Sequence, residues 1–144
     1  MKIQDYTEEL INLRRHFHQY PELALQEVET SAYIRIYLEK LGYTVTAVEP
    51  TGLIAELPCL KKREKLIILR AEMDALPIQE QTGLPYASVN QGCMHACGHD
   101  MILAAALILA KIVAEEQETF PVRMRFLFEP AEEIGEGAKR MIQA

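Results

Sequence analysis

Two of the three cysteines and two of the four histidines fall within one short stretch, Cys93-Met94-His95-Ala96-Cys97-Gly98-His99-Asp100. Thiolate and imidazole groups at this density suit zinc or a similar divalent ion. Cys97 and His99 are separated by a single residue, so in an extended segment their side chains fall on one side, close enough to share a metal centre. Gly98 between them permits a tight backbone path. The competing reading is a loop with buried thiols and a capping Asp100, and the metal reading is preferred over it. A second cluster, Glu72-Met73-Asp74, turns two carboxylates to one side, where they could bind a metal or orient one of its ligands. Alone it is better explained as a solvated strand end. A third, Glu132-Glu133, places adjacent carboxylates in different directions, so that one could ligate a metal while its neighbour handles a proton. Alone such a pair is usually surface charge. His16 and His18 read as packing or hydrogen-bonding residues of a helix.

These groups need elements to hold them. The spacing of Leu10, Leu13 and Phe17 predicts a helix over Thr7 to Gln19, with Thr7 as its N-cap and Pro21 as its stop. A second helix is expected from Gln26 to Leu41, its stripe formed by Val28, Ala32, Ile36 and the pair Tyr33/Tyr37, with Gly42 at its C-terminal end. Strands are expected at Tyr43–Val48, Leu53–Leu57 and Lys65–Arg70. The run from Leu66 to Leu69 is continuously apolar, as in a strand buried on both faces. Met73 to Gly98 has no clear periodicity, and loops of that length are usually functional. A third helix, Met101 to Glu116, is apolar on nearly every side and should be buried, with Asp100 as its N-cap. Val122, Met124, Phe126 and Phe128 alternate along a fourth strand that Pro130 ends, and Gly135-Glu136-Gly137 leads into a last helical turn. The order ααβββαβα predicts an α/β fold, a mixed sheet flanked by helices. Ligands of such sheets bind at the carboxyl ends of strands, where both acidic clusters lie.

A net charge of −6 excludes the basic surface that nucleic acid or an anionic membrane requires. The basic run Lys61-Lys62-Arg63 is followed by Glu64 and reads as a solvated turn. No apolar segment is long enough to span a bilayer, and no secretory h-region opens the chain. An odd cysteine count (Cys59, Cys93, Cys97) points to thiols kept reduced for packing or metal, hence to the cytoplasm.

Taken together, four landmarks in order resemble the M20 metallopeptidase family, in its branch of N-acyl-amino-acid amidohydrolases, hippurate hydrolases and auxin-conjugate hydrolases. They are Arg14-Arg15-His16-Phe17-His18 with Pro21-Glu22-Leu23; Leu69-Arg70-Ala71-Glu72-Met73-Asp74-Ala75-Leu76-Pro77; Met94-His95-Ala96-Cys97-Gly98-His99-Asp100; and Glu129-Pro130-Ala131-Glu132-Glu133. The resemblance covers nearly the whole chain. It implies a two-metal site in which Cys97 bridges the ions, His99 and Glu133 are ligands, Glu132 is the general base, and Asp74 supports the site from behind its ligands. The ions implied are zinc, alternatively manganese or cobalt. The reaction implied is attack of a metal-bound hydroxide on an amide carbonyl, with Glu132 passing the proton to the leaving amine. The substrate implied is a small N-acyl amino acid or peptide-like conjugate.

The chain departs from the family pattern in three places. Glu72 stands where the family commonly has Asp, which keeps the charge. Ile102 stands where the branch has a second His after Cys-Gly-His-Asp. Family members are also much longer. Residues 1–144 are therefore expected to be the N-terminal portion of the catalytic domain, without the lid or dimerisation domain, the C-terminal part and the remaining histidine ligands. Two alternatives follow: a catalytically inactive fragment with residual metal binding or an interaction role, and a small structural zinc module. The module leaves the two acidic clusters without a role and ranks last. Missing neighbour strands would also leave an apolar sheet edge that invites self-association into a homo-oligomer.

Overall fold

A computed structural model describes residues 3–58 and 63–144. A 3-10 turn, Ile3–Tyr6, leads into α1, Thr7–Gln19, followed by α2, Val28–Lys40. Strands β1, Thr44–Val48, β2, Gly52–Glu56, and β3, Leu66–Glu72, come next. Helix α3, His99–Glu115, strand β4, Arg123–Glu129, and helix α4, Gly137–Gln143, complete the order. Cys59, Lys61 and Lys62 lie outside the described residues.

The sheet runs β1-β2-β4-β3. β2 is antiparallel to β1 and to β4, whereas β3 lies parallel to β4. The sheet is therefore mixed, as expected. Alternation places Leu53 and Ala55 of β2, Phe126 and Phe128 of β4, and Ala71 of β3 on the covered face, where all five are buried. Helix α3 closes that face with Leu103, Leu107 and Ala110, and α1 adds Leu13 and Phe17. Each such large side chain removed from water contributes about 1.5–3 kcal/mol.

Three expectations are corrected here. Helix α2 buries Thr30, Ile34 and Leu38, not the expected stripe: Val28 is 59% exposed and Ile36 52%. The helix is apolar on both sides, so periodicity alone could not choose the inner one. Strand β3 is not buried on both faces: it is an edge strand, with no strand among the described residues beyond it, and Ile67 and Ile68, which alternate to opposite faces, are 49% and 53% exposed. Finally, neither predicted N-cap acts as one. Thr7 is already helical after Tyr6, and Asp100 sits inside the first turn of α3 after Gly98, whose φ of 89° is left-handed.

The segment between β3 and α3 contains no regular element. Two isolated bridges tie it down, Leu23 with Ala75 and Leu76 with Met94. The Ala75 amide also donates to the Glu22 carbonyl at 2.8 Å. This stretch brings Cys97 to the start of α3 at His99. No helix among the described residues is long and apolar enough to cross a membrane.

Candidate metal centre

Parallel pairing of β3 and β4 sets Glu72 opposite Glu129, so the two strands leave the sheet at one level. Asp74 follows the first strand and Glu132-Glu133 the second, and α3 begins beside them with His99. Asp74 is fully buried and works through two different atoms. Its backbone carbonyl lies 2.8 Å from His99 Nδ1. A carbonyl can only accept, so Nδ1 carries a proton, and in the neutral ring it is Nε2 that offers the lone pair. The Asp74 carboxylate accepts the backbone N–H of Glu133 at 2.9 Å, which fixes the turn after β4. One residue thus orients an imidazole from one segment and a carboxylate from another.

His99 Nε2 faces both glutamates, Glu132 at 3.7 Å and Glu133 at 3.9 Å. The two carboxylates therefore converge. The sequence expectation that neighbours diverge fails because they lie on a tight turn, where strand alternation does not apply. Cys97, His99 and Glu133 offer ligand atoms all within 4.8 Å of one another. In a tetrahedral site with bonds of about 2.0–2.3 Å, donor atoms stand about 3.3–3.8 Å apart, so small side-chain adjustments would close this set on an ion. Glu133 Oε1 is buried without a hydrogen-bond partner, as is Asp74 Oδ1. Orphaned carboxylate oxygens beside an imidazole nitrogen and a thiol are donors that fit a cation. The Cys97 thiol is held above its usual range by its hydrogen bond to Glu133 and by that carboxylate's charge. A bound cation reverses that balance, since it favours thiolate.

The remaining sequence candidates fall around this group. Glu72 pairs with Arg70, and Arg70 also reaches Glu129 at 3.0 Å. Cys93 is buried against the Pro21 carbonyl and stands outside the ligand set. His95 is buried with neither ring nitrogen partnered, and burial lowers its pKa to about 4. Ile102 lies exposed in the first turn of α3. His16 stacks on Tyr33 with ring centroids 4.3 Å apart.

His18 is a hydrogen-bonding residue, as expected, but the buried network it joins was not foreseen. His18 Nδ1 lies 2.8 Å from Asp100, and its Nε2 lies 3.1 Å from Glu80. Arg14 donates to the same Asp100 oxygen at 2.9 Å. The network pins the start of α3, and so His99, to α1. Its one visible signal was the i,i+4 spacing of Arg14 and His18, which places them on one helix face.

The profile of peptidase family M20/M25/M40 matches residues 68–144, just over half of the chain. The chain belongs to this family. Among M20 relatives, the N-acetyl-L-cysteine deacetylase of Bacillus subtilis (strain 168) is 47% identical over 99% of this chain and 34% of its own length. The chain thus spans about a third of the length of the curated relatives it matches. Two solved structures superpose closely. The YXEP protein of Bacillus subtilis, a dinuclear metal binding peptidase from the M20 family, has a TM-score of 0.89 at 42% identity, over 97% of this chain and 40% of its own. A putative aminohydrolase from methicillin resistant Staphylococcus aureus has a TM-score of 0.90 at 41% identity, over 97% of this chain and 38% of its own.

Proposed function

We propose that this chain carries the ligating and proton-transferring groups of an amidohydrolase that cleaves the amide of N-acyl amino acids or similar small conjugates. The observation that carries the reading is the convergence of Cys97, Glu132 and Glu133 on an imidazole nitrogen left free by the Asp74 carbonyl. Cys97, His99 and Glu133 would hold divalent metal, two ions in the complete site, with zinc the first choice for a thiolate donor and manganese or cobalt the alternatives. When bound, such ions polarise an acyl carbonyl and make water more acidic. Asp74 aims His99 and Glu133. Glu132 is only partly buried and stays outside the ligand set, so its carboxylate is free to take a proton from water and return it to the departing amine. Relatives named for deacetylation of N-acetylcysteine favour a short acyl group on a small amino acid. The reduced thiols suit the cytoplasm.

The first test is stoichiometry. Zinc bound per chain should fall in Cys97→Ala and in His99→Ala, and equal metal content in all three proteins would sink the ligand assignment. The second test grafts residues 1–144 in place of the matching third of the Bacillus subtilis N-acetyl-L-cysteine deacetylase. That chimera should hydrolyse N-acyl amino acids, and Glu132→Gln should retain metal yet lose about 10²- to 10⁴-fold in kcat. A folded, metal-loaded chimera inactive on every N-acyl amino acid would overturn the substrate class.

A second reading rests on the ligand count. Three residues form the metal-capable group among the described residues, fewer than two ions and a water require. The 144-residue chain by itself is therefore expected to bind metal weakly and to turn over little. Metal-dependent turnover of the isolated chain, abolished by Glu132→Gln, would show this count to be wrong.

A further inference from the structure

Glu27 is fully buried, yet nothing in the site described above uses it. It precedes α2 in the N-cap position, where an acidic side chain normally accepts the helix's own free amides. It does not do so here. Glu22 takes that task instead, accepting the amides of Glu29 at 3.1 Å and Thr30 at 2.8 Å. The Glu27 carboxylate turns inward. One oxygen accepts the Thr51 hydroxyl at 2.6 Å, and the other accepts the backbone N–H of Ala131 at 2.8 Å.

Ala131 immediately precedes Glu132 and Glu133, and it adopts φ 53°, a left-handed conformation that alanine rarely takes. Its carbonyl accepts the amides of Glu136 and Gly137, both at 3.2 Å, which closes the turn on the far side. The turn is therefore clamped at two points: by Asp74 at the Glu133 amide and by Glu27 at the Ala131 amide. A strained residue persists only where its surroundings over-determine it. A carboxylate taken wholly out of water is retained only where donors are aimed at it.

We propose that Glu27 is a positioning residue, holding the left-handed Ala131 turn so that the Glu132 and Glu133 carboxylates face His99. This rests on the roles proposed for Glu132 and Glu133, but its structural half is independent of any metal. Glutamine at this position keeps an oxygen for the Ala131 amide and presents its NH₂ to the Thr51 oxygen. Alanine or methionine leaves both donors unmet.

The test is native-state hydrogen exchange on the 144-residue chain, with cobalt titration as a second measurement. In Glu27→Ala and Glu27→Met, protection of the Ala131 and Glu133 amides should drop about ten-fold or more, the scale set by losing a hydrogen bond to a charged group. Amides of Leu38 in α2 and Leu107 in α3 should stay protected. Glu27→Gln should restore the Ala131 and Glu133 amides, and with them the wild-type cobalt affinity that the alanine and methionine variants lose. Unchanged exchange at Ala131, equal loss at every amide in both variants, or failure of glutamine to restore protection would overturn the proposal. If the wild-type chain binds no cobalt, the metal reading falls, and the exchange pattern still decides the role of Glu27.

Discussion

Hydrogen bonding to Glu133, with that carboxylate's charge, holds the Cys97 thiol above its usual range, and on the proposed ligand assignment a bound ion would displace that contact, because a ligating sulfur has to lose its proton. The raised thiol pKa means less thiolate at a given pH, and so slow attack on an alkylating reagent. Removing the Glu133 charge reverses the sign. Glu133→Gln should therefore alkylate faster at Cys97 than wild type at neutral pH, with the midpoint of the rate-against-pH curve moved down. An unchanged or higher midpoint would show that Glu133 does not control this thiol. Metal uptake should correspondingly strengthen as pH rises and should release protons, which calorimetry in buffers of different ionisation enthalpy would detect. Glu132 differs from its neighbour in kind. It faces the same imidazole nitrogen but stays outside the ligand group, so its substitution should alter turnover and leave metal content alone.

Helix α4 begins at Gly137, and the space there is closed. A Cβ at this position would overlap the Pro130 carbonyl oxygen and meet Glu129 Cγ at 2.6 Å, both next to the site turn. Gly137→Ala should therefore destabilise the chain by about 1–3 kcal/mol, the usual scale of overpacking, measured as a lower urea midpoint at unchanged slope. Other elements differ in how far their residues announced them. The bounds of α1 follow from Leu10, Leu13, Phe17 and the stop at Pro21, and β4 follows from the strict alternation that ends in Phe126 and Phe128. The inner face of α2 was not legible, because Val28 and Ile36 compete with Ile34 and Leu38, and only tertiary packing breaks the tie. In the site, the nearness of Cys97 to His99 was legible from local spacing. The contribution of the Asp74 carbonyl was not, since a backbone acceptor leaves no mark in residue type. The role of Glu27 was not legible for a related reason: its partner at Ala131 is an amide that any residue but proline provides.

At the scale of the whole molecule, the apolar edge of β3 is the main liability. Leu66, Ile67 and Ile68 are exposed, and the outer side of the strand has no pairing partner among the described residues. Long, flat, apolar edges template pairing with another chain. The chain should self-associate with rising concentration, and Ile67→Lys should shift sedimentation toward the monomer without changing its far-ultraviolet circular dichroism. Monomeric behaviour of the wild type across the micromolar range would exclude this edge as an adhesive surface. The parallel pairing of β3 with β4 also governs the order in which the parts come together. Asp74 and Glu133 lie almost sixty residues apart, with all of α3 between them, and their hydrogen bond depends on both strands ending at one level. Loop closure over such a distance is entropically slow and must precede any contact that depends on it. A ribosome has therefore to release the chain past residue 133 before the ligand group can exist. On the proposed ligand assignment, an ion arriving earlier would find only Cys97 and His99, so tight metal binding should follow, and not precede, the pairing of β3 with β4.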